Sequence, residues 1–313
     1  MKLHQLRYLC EIARQGLSFS SAADALHTSQ PGISKQIRLL EEELGVDLFI
    51  RGGNRILEMT EPARRIVSIA SLVFRELDDI KAVASEFREG NTGRLNLAAT
   101  FTFARYILPD ALRRFVSRHP RVEVNLLQGS PAEVSRLASS GAADIALTTR
   151  PAEDFPDLLF LEYCTLPRVL VTPRGHPLLR EKRVTLKSIS LHPLITLDIG
   201  SHGQLQMREL FARGGLEPNI VFAGVDVDVV KAFVEAGLGV AVLPKVAFEP
   251  KRDAKLHALD VGHLFAPHAG CLAIRKNHYL RGYAFDFIET LTSDIDRRAV
   301  EKALVAARAT AAL

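Results

Sequence analysis

Residues 19–44, FSSAADALHTSQPGISKQIRLLEEEL, read as two short helices joined by a tight turn, and the rest of the chain is organised around them. Ser20 is placed to cap the first helix, and the small pair Ala22-Ala23 permits close helix packing. His27 and Thr28 interrupt the pattern. Ser29 suits the N-cap of the second helix, with Pro31 in its first turn, where a missing N–H removes no hydrogen bond. Ile33, Ile37, Leu40 and Leu44 recur at helical spacing and predict its buried stripe. The opposite face carries Gln30, Ser34, Lys35 and Arg38, side chains able to reach base edges and phosphates from a major groove. An ordinary helix hairpin with a solvated polar face is the plainer alternative, and the neighbouring segments bear on the choice.

Residues 3–15 read as a preceding helix, with Leu6, Leu9 and Ala13 inward and Gly16 ending it. Residues 48–60 place Gly52-Gly53-Asn54 between the strand-like pairs Phe49-Ile50 and Ile56-Leu57, a hairpin signal. As a wing, this hairpin brings Arg51 and Arg55 to sugar-phosphate or a minor groove. The candidate DNA contacts are therefore Ser29, Gln30, Pro31, Ser34, Lys35, Arg38, Arg51 and Arg55. A long helix follows at 61–89, with Pro62 in its first turn. Along it Ile66, Ala70, Val73, Leu77, Ile80, Ala84 and Phe87 alternate by four and three residues, a heptad seam. The seam predicts self-association into a dimer or tetramer, holding DNA-binding units apart on a two-fold operator. Packing onto the chain's own next domain is the rival.

After the GNTG hinge at 90–93 the pattern changes. Strands at 94–99, 122–128 and 144–149 alternate with helices at 107–119 and 131–140, a βαβαβ order that predicts a parallel sheet. A further strand at 158–163 leads to a crossover near 166–172. The second set has strands at 194–197, 219–223 and 240–243, with helices at 204–213 and 226–236. A strand at 271–274 and a helix at 283–291 return to the first lobe. The fold class is α/β with an all-α-rich N-terminal winged helix-turn-helix, a long linker helix, and two Rossmann-like α/β lobes of periplasmic-binding-protein type. The expected domains are 1–60 for DNA binding, 61–92 for the linker, dimerisation helix and hinge, and 93–313 for effector binding. Lobe I takes about 93–165 and 266–296, lobe II about 166–265, and an Ala-rich tail 297–313.

Hydrophobic residues make up 47% of the 313 and charged residues 24%, ample for such cores. The net charge of +4 permits nucleic-acid binding without demonstrating it. Cys10, Cys164 and Cys271 lie far apart without a C-x-x-C partner, against both a disulfide framework and a cysteine zinc site. No apolar run approaches the roughly 20 residues that span a bilayer, and the first residues show no signal-peptide pattern. A cytoplasmic protein with no membrane partner is expected. The chain has no P-loop lysine motif, G-x-S-x-G elbow or H-E-x-x-H, and 237–239 lacks the third glycine of a dinucleotide site. Neither catalysis nor a metal or cofactor is expected. A transport receptor for solutes would have no use for residues 1–90.

In open α/β sheets ligands gather beyond the carboxyl ends of strands. Thr100-Phe101-Thr102, Gln128-Gly129-Ser130-Pro131, Thr148-Thr149-Arg150 and Gly200-Ser201-His202-Gly203 occupy such places. Hydroxyls and backbone N–H groups at helix starts suit a small anion. For any one of these residues a helix cap or a turn is the plainer role.

MKLHQLRYL, the Ala22-Ala23 pair, TSQPGISKQIRLLEEELGVDLFIR and LEMT resemble the N-terminal domain of LysR-type transcriptional regulators. ARYILPDALRRFVSRHPRVEVNLLQGSP, GHPLL, EPNIVFAGVDVDVVKAFVEAGLGVAVLP and YAFDFIETL are similar to the CysB/Cbl branch, regulators of sulfur assimilation. The resemblance covers nearly the whole chain. It implies a homo-oligomeric regulator whose partners are a double-stranded DNA operator and RNA polymerase. It also implies a small-molecule effector in the cleft: sulfate, thiosulfate, acetylserine or a related anion. Thr100, Thr102 and Thr149 match the branch's pocket, whereas Phe103 stands in place of an amide side chain and His202 in place of a threonine. The changed pair leaves the effector's identity open. A LysR-type regulator of an unrelated pathway and an α/β enzyme are the alternatives.

Overall fold

The chain divides into two units, Met1–Ala84 and Ser85–Leu313. The computed structural model describes residues 1–52, 55–89, 92–197 and 202–311. Gly53, Asn54, Gly90, Asn91, Gly200 and Ser201 lie outside the described residues, as do the side chains of Arg51, Arg55, Phe87 and His202.

In the first unit, α1 (Leu3–Arg14), α2 (Phe19–Ala25) and α3 (Gln30–Leu44) pack around Leu6, Leu9, Ile12, Ala22, Ala23, Ile33, Ile37 and Leu40, all buried. Ile12 holds the inward place expected of Ala13, and Leu44, at 36% exposed, lies outside the stripe. The cap of α2 is Ser18, not Ser20: its hydroxyl accepts the Ser21 N–H at 3.1 Å. Phe19 is already helical, so Ser20 falls in the first turn. Ser29 caps α3 as expected, accepting the Gly32 N–H at 3.3 Å, and Gly45 ends it in the left-handed region at φ 69°.

β1 (Phe49–Gly52) and β2 (Arg55–Met59) form the antiparallel hairpin. Thr60 ties it to α4 (Glu61–Glu89), donating to the Asp47 carbonyl at 2.7 Å and accepting the Ala63 N–H at 3.2 Å. Ala63 and Ala70 of α4 are buried in the first unit's core, with Ile66, Val67 and Phe74 packed against it. Ile69, Leu72, Val73 and Ile80 are exposed.

The second unit holds two five-stranded sheets. Its elements run β3 (Gly93–Thr100), α5 (Phe101–Tyr106), α6 (Leu108–Arg118), β4 (Val122–Gly129), α7 (Pro131–Ser139), β5 (Ile145–Thr149) and β6 (Leu158–Leu166). β7 (Arg168–Pro173), α8 (Leu186–Ser190), β8 (Leu194–Leu197), α9 (His202–Arg213), β9 (Ile220–Gly224), α10 (Val227–Glu235), β10 (Val240–Pro244) and β11 (Leu256–Asp260) follow. β12 (His268–Arg275), α11 (Gly282–Leu291) and α12 (Arg297–Ala311) complete the unit. The strand orders are β4-β3-β5-β12-β6 and β11-β7-β10-β8-β9.

Neither sheet is purely parallel. β3 runs parallel to β4 and β5, and β8 to β9 and β10, as βαβ connections require. β12 lies antiparallel to β5 and β6, and β7 antiparallel to β10 and β11. The segment expected as a crossover at 166–172 is itself strand. Only Pro167 separates β6 from β7, because Val169, Leu170 and Val171 can be buried in the second sheet. At Gly270 of β12, a Cβ would stand 2.4 Å from the Cys164 Sγ and 2.9 Å from the Phe103 Cζ. Glycine there is what lets the Phe103 ring lie on the strand.

The lobes are joined a second way. Tyr106, at the end of α5, packs against the second sheet's cluster around Val227 and Val230. Its hydroxyl donates to Asp228 at 2.6 Å and accepts from the Lys231 ammonium at 2.9 Å. Lys231 is 7% exposed and also donates to Asp253 at 3.0 Å and to the Ala247 carbonyl at 2.9 Å. Burial opposes its charge, but Tyr106, Asp253 and Asp228 outweigh that and hold its pKa above the ordinary lysine value. Burial likewise opposes ionisation of Asp228, and the bonds from Tyr106 and Lys231 hold it below the ordinary carboxylate value.

A depressed carboxylate stabilises fully above its ordinary 3.8, and that contribution fades as pH falls through the lowered folded value. A raised ammonium stabilises fully below its ordinary 10.5 and fades as pH rises through the raised value. Tyr106→Phe is expected to lower stability by about 1–2 kcal/mol, by a similar amount at pH 5, 7 and 9. Urea unfolding of the full chain checks this, and an unchanged midpoint would deny the hydroxyl its bridging role.

Candidate functional site

On the first unit, Ser29, Gln30, Pro31, Lys35 and Arg38 are exposed along α3, and Ser34 is half-buried. The helix is braced from behind, where the Gln5 side chain donates to the Gln36 Oε1 at 3.2 Å. Lys35 and Arg38 enter no ion pair among the described residues. Two of the three nearby acids are engaged elsewhere: Glu43 pairs with the N-terminal ammonium, and Glu41 accepts the Leu48 N–H at 2.9 Å. An exposed cation without a carboxylate partner is electrostatically suited to a phosphate. The backbones of Arg51 and Arg55 stand in the hairpin opposite Ile56 and Gly52, with an irregularity between Ile50 and Arg51.

In the second unit, a small cavity of about 40 Å³ lies where the strand ends of the two lobes meet. That is room for roughly three water-sized positions at about 10–15 Å³ each. Thr100, Thr102 and Phe103 reach it from the start of α5, and Thr149 from the end of β5. The other lobe contributes Ile195, Thr196 and Leu197 of β8, Gly203 and Met207 of α9, and Val242 and Pro244 of β10. Thr100 precedes α5 but makes no capping hydrogen bond to it, so its hydroxyl is not consumed in the cap. Thr102 and Phe103 are 7% and 1% exposed, part of the packed wall.

Three other expected residues are placed away from this wall. Thr148 is fully buried and donates to the Thr149 carbonyl at 2.8 Å. Gln128 is exposed at the end of the edge strand β4. Ser130 caps α7 in a reciprocal box: its hydroxyl accepts the Glu133 N–H at 3.3 Å, and its own N–H donates to the Glu133 carboxylate at 2.8 Å. That backbone bond holds the Glu133 carboxyl below its usual range. Ser201 lies outside the described residues, and α9 begins at His202.

Two wall residues escaped the sequence reading. Arg168, the first residue of β7, donates from Nη1 to the His268 Nε2 at 2.7 Å and from Nη2 to the Val242 carbonyl at 3.4 Å. His268 is the first residue of β12. Arginine has only donors, so the imidazole nitrogen it faces is an acceptor. The signals that could have found them are an arginine directly after Pro167 in an otherwise apolar run, TLPRVLV, and a histidine opening the run HAGCLAI. No carboxylate lines the cavity among the described residues. Hydroxyls and a guanidinium on an otherwise apolar wall suit a small anion. Among the described residues no group of three His, Cys, Asp or Glu is arranged to hold a metal ion.

The chain matches two family models: "LysR substrate binding domain" over residues 88–295, and "Bacterial regulatory helix-turn-helix protein, lysR family" over residues 3–64. It is 40% identical over 304 residues to the HTH-type transcriptional regulator CysB of Burkholderia cenocepacia, covering 97% of each chain. The HTH-type transcriptional regulator SsuR of the same organism is 37% identical over 289 residues, covering 92% of this chain and 94% of SsuR. Among solved structures, the cofactor-binding domain of the Cbl transcriptional regulator superposes with a TM-score of 0.65 at 31% identity, covering 69% of this chain and 94% of that one. All three are transcriptional regulators rather than enzymes.

Proposed function

Because the chain belongs to the LysR family of DNA-binding transcriptional regulators, we propose that it controls genes of sulfur assimilation in response to a small anion bound between its lobes. Transcriptional regulation, not catalysis, is its activity. The sulfur pathway follows from the similarity to CysB, SsuR and Cbl. The observation that carries the anion is the meeting of Thr100, Thr102 and Thr149 on one cavity wall that has no carboxylate among the described residues. We infer a compact anion, such as sulfate, thiosulfate or a short sulfonate, as the ligand of this wall. The protein works in the cytoplasm, where its operator is.

A second copy of the chain covers the exposed apolar residues of α4. Ile66 and Ala70 are used by the first unit's own core, so the seam between copies falls on Ile69, Leu72, Val73 and Ile80. Two copies joined there present two α3 helices to an operator of matching symmetry. The effector then shifts their placement by its differential affinity for the two arrangements.

Lys35→Ala and Arg38→Ala are each expected to weaken operator binding in fluorescence anisotropy. A residue that contacts only phosphate weakens all sequences alike and lowers the salt slope by about 1. Unaltered affinity in both variants would overturn the docking of α3. Ile80→Glu is expected to shift the protein toward monomer in sedimentation velocity, and an unchanged distribution would remove α4 as the seam. Thermal unfolding against sulfate, thiosulfate and O-acetylserine tests the effector. A ligand at a hundred times its Kd stabilises the folded state by about 2.7 kcal/mol, and Thr149→Ala should abolish the shift. No shift with any of them would sink the sulfur reading and leave the regulator standing.

A further inference from the structure

The net charge that permits nucleic-acid binding does not sit on the unit that carries α3. Residues 1–84 hold eleven Lys and Arg against eleven Asp and Glu, so the excess of +4 belongs to the second unit. One stretch is enough to account for it. Residues 174–187, RGHPLLREKRVTLK, carry Arg174, Arg180, Lys182, Arg183 and Lys187 against Glu181 alone. All five cations are exposed. None of their side chains enters an ion pair or a hydrogen bond among the described residues. Cations on the neighbouring segment differ: the Arg174 N–H donates to the Lys255 carbonyl at 3.1 Å, but the Lys255 ammonium pairs with Glu235, and Arg252 pairs with Glu249.

The stretch belongs to a closed loop on the second sheet's lobe. Leu178, Val184 and Ile189 are buried in that lobe's core and pin it along its length. A 3-10 turn at Pro177–Arg180 follows His176, whose Nδ1 accepts the Leu178 N–H at 3.3 Å. The His176 and His192 rings meet edge to face with centroids 4.5 Å apart, which brings the two ends of the loop together. Between them Thr185 and Ser188 cap α8 reciprocally. The Thr185 hydroxyl accepts the Ser188 N–H at 3.1 Å, and the Ser188 hydroxyl accepts the Thr185 N–H at 3.0 Å. The His263 ring donates to the Val184 carbonyl at 2.9 Å from the far side. A backbone fixed in this way gathers the cations on one small surface, and a partner has only their side chains to order.

A surface that serves solubility alone carries both signs interspersed, and here one charged residue in six is acidic. Like charges crowded on one loop repel, and a polyanion relieves that repulsion. Leu191, 75% exposed, is the one large apolar side chain exposed on the loop among the described residues. Protein interfaces have an apolar centre, and membrane-surface segments have an apolar face; one leucine supplies neither. We propose that this loop binds the sugar-phosphate backbone of duplex DNA, as a contact separate from α3 and the hairpin. Such a contact reads no sequence. It adds affinity that weakens steeply with salt.

Fluorescence anisotropy of the full chain on a random-sequence duplex of about 40 base pairs, across about 50–200 mM salt, tests the assignment. Arg180→Ala, Lys182→Ala and Arg183→Ala together should flatten the slope of log affinity against log salt by about 2–3 and weaken binding at the lowest salt by about tenfold or more. Arg174→Ala with Lys187→Ala should flatten it by about 1–2. The control removes three exposed cations that already have carboxylate partners: Arg113→Ala, Arg136→Ala and Arg252→Ala, paired with Asp110, Glu153 and Glu249. It should leave the slope as it is. An unchanged slope in both loop variants would overturn the proposal and leave the loop to an acidic protein surface. Equal flattening in the loop variants and the control would also overturn it, because net charge alone would then explain the effect.

Discussion

Pro167 alone separates the last residue of one sheet's edge strand from the first residue of a strand in the other sheet. A one-residue passage has almost no freedom, and proline restricts it further by fixing φ. The Lys245 N–H donates to the Pro167 carbonyl at 2.7 Å, anchoring the passage to the end of β10. Leu166 and Arg168, on either side of it, both face the cavity. The return passage ends at His268, which takes up the Arg168 guanidinium. The chemical character of the cleft is therefore set at the two places where the chain changes lobes, and the α/β repeats on either side supply the remaining wall.

The short helix α5 carries that arrangement outward. Thr102 and Phe103 of its first turn line the cavity, and Tyr106 at its end bonds to Asp228 and Lys231 of the other lobe. Six helical residues span only about 9 Å, which is short enough to move as a rigid piece. A ligand that draws on Thr102 loads the same element that fastens the lobes through Tyr106. Differential affinity needs a structural difference to act on, and a ligand bound as proposed would reach both lobes through this helix.

Much of this was legible in the chain. Ser29, Pro31 and the 3.6-residue rhythm of Ile33, Ile37 and Leu40 define α3 locally, and the structure places it as read. Local signals also misplace. Ser18 and Ser20 are equally good caps on paper, and only the path into Phe19 decides for Ser18. A heptad seam records which residues are apolar but not what covers them, so Ile66 and Ala70 read as intermolecular although Ala70 is buried in their own unit and Ile66 packs against its core. At strand ends, neighbouring side chains point to opposite faces, and one residue separates Thr149 on the cavity from Thr148 in the core. Arg168 and His268 escaped the reading for a different reason. Their strands pair antiparallel with partners about 75 and 100 residues away, an order that no local period encodes.

Phe103 shows how a cleft-lining residue can be bound into a core. It lines the cleft yet is 1% exposed, with its ring centroid 6.1 Å from that of Tyr163 and its edge lying over Gly270. A shorter polar side chain there would open space above Gly270 as well as add a hydrogen-bonding group. A side chain at position 270 would in turn displace the ring or the Cys164 thiol. The two positions are in contact, and changes at contacting positions do not act additively. The apolar end of the cleft is thus a property of the Phe103–Gly270 pair, and substitutions at the two positions are expected to couple.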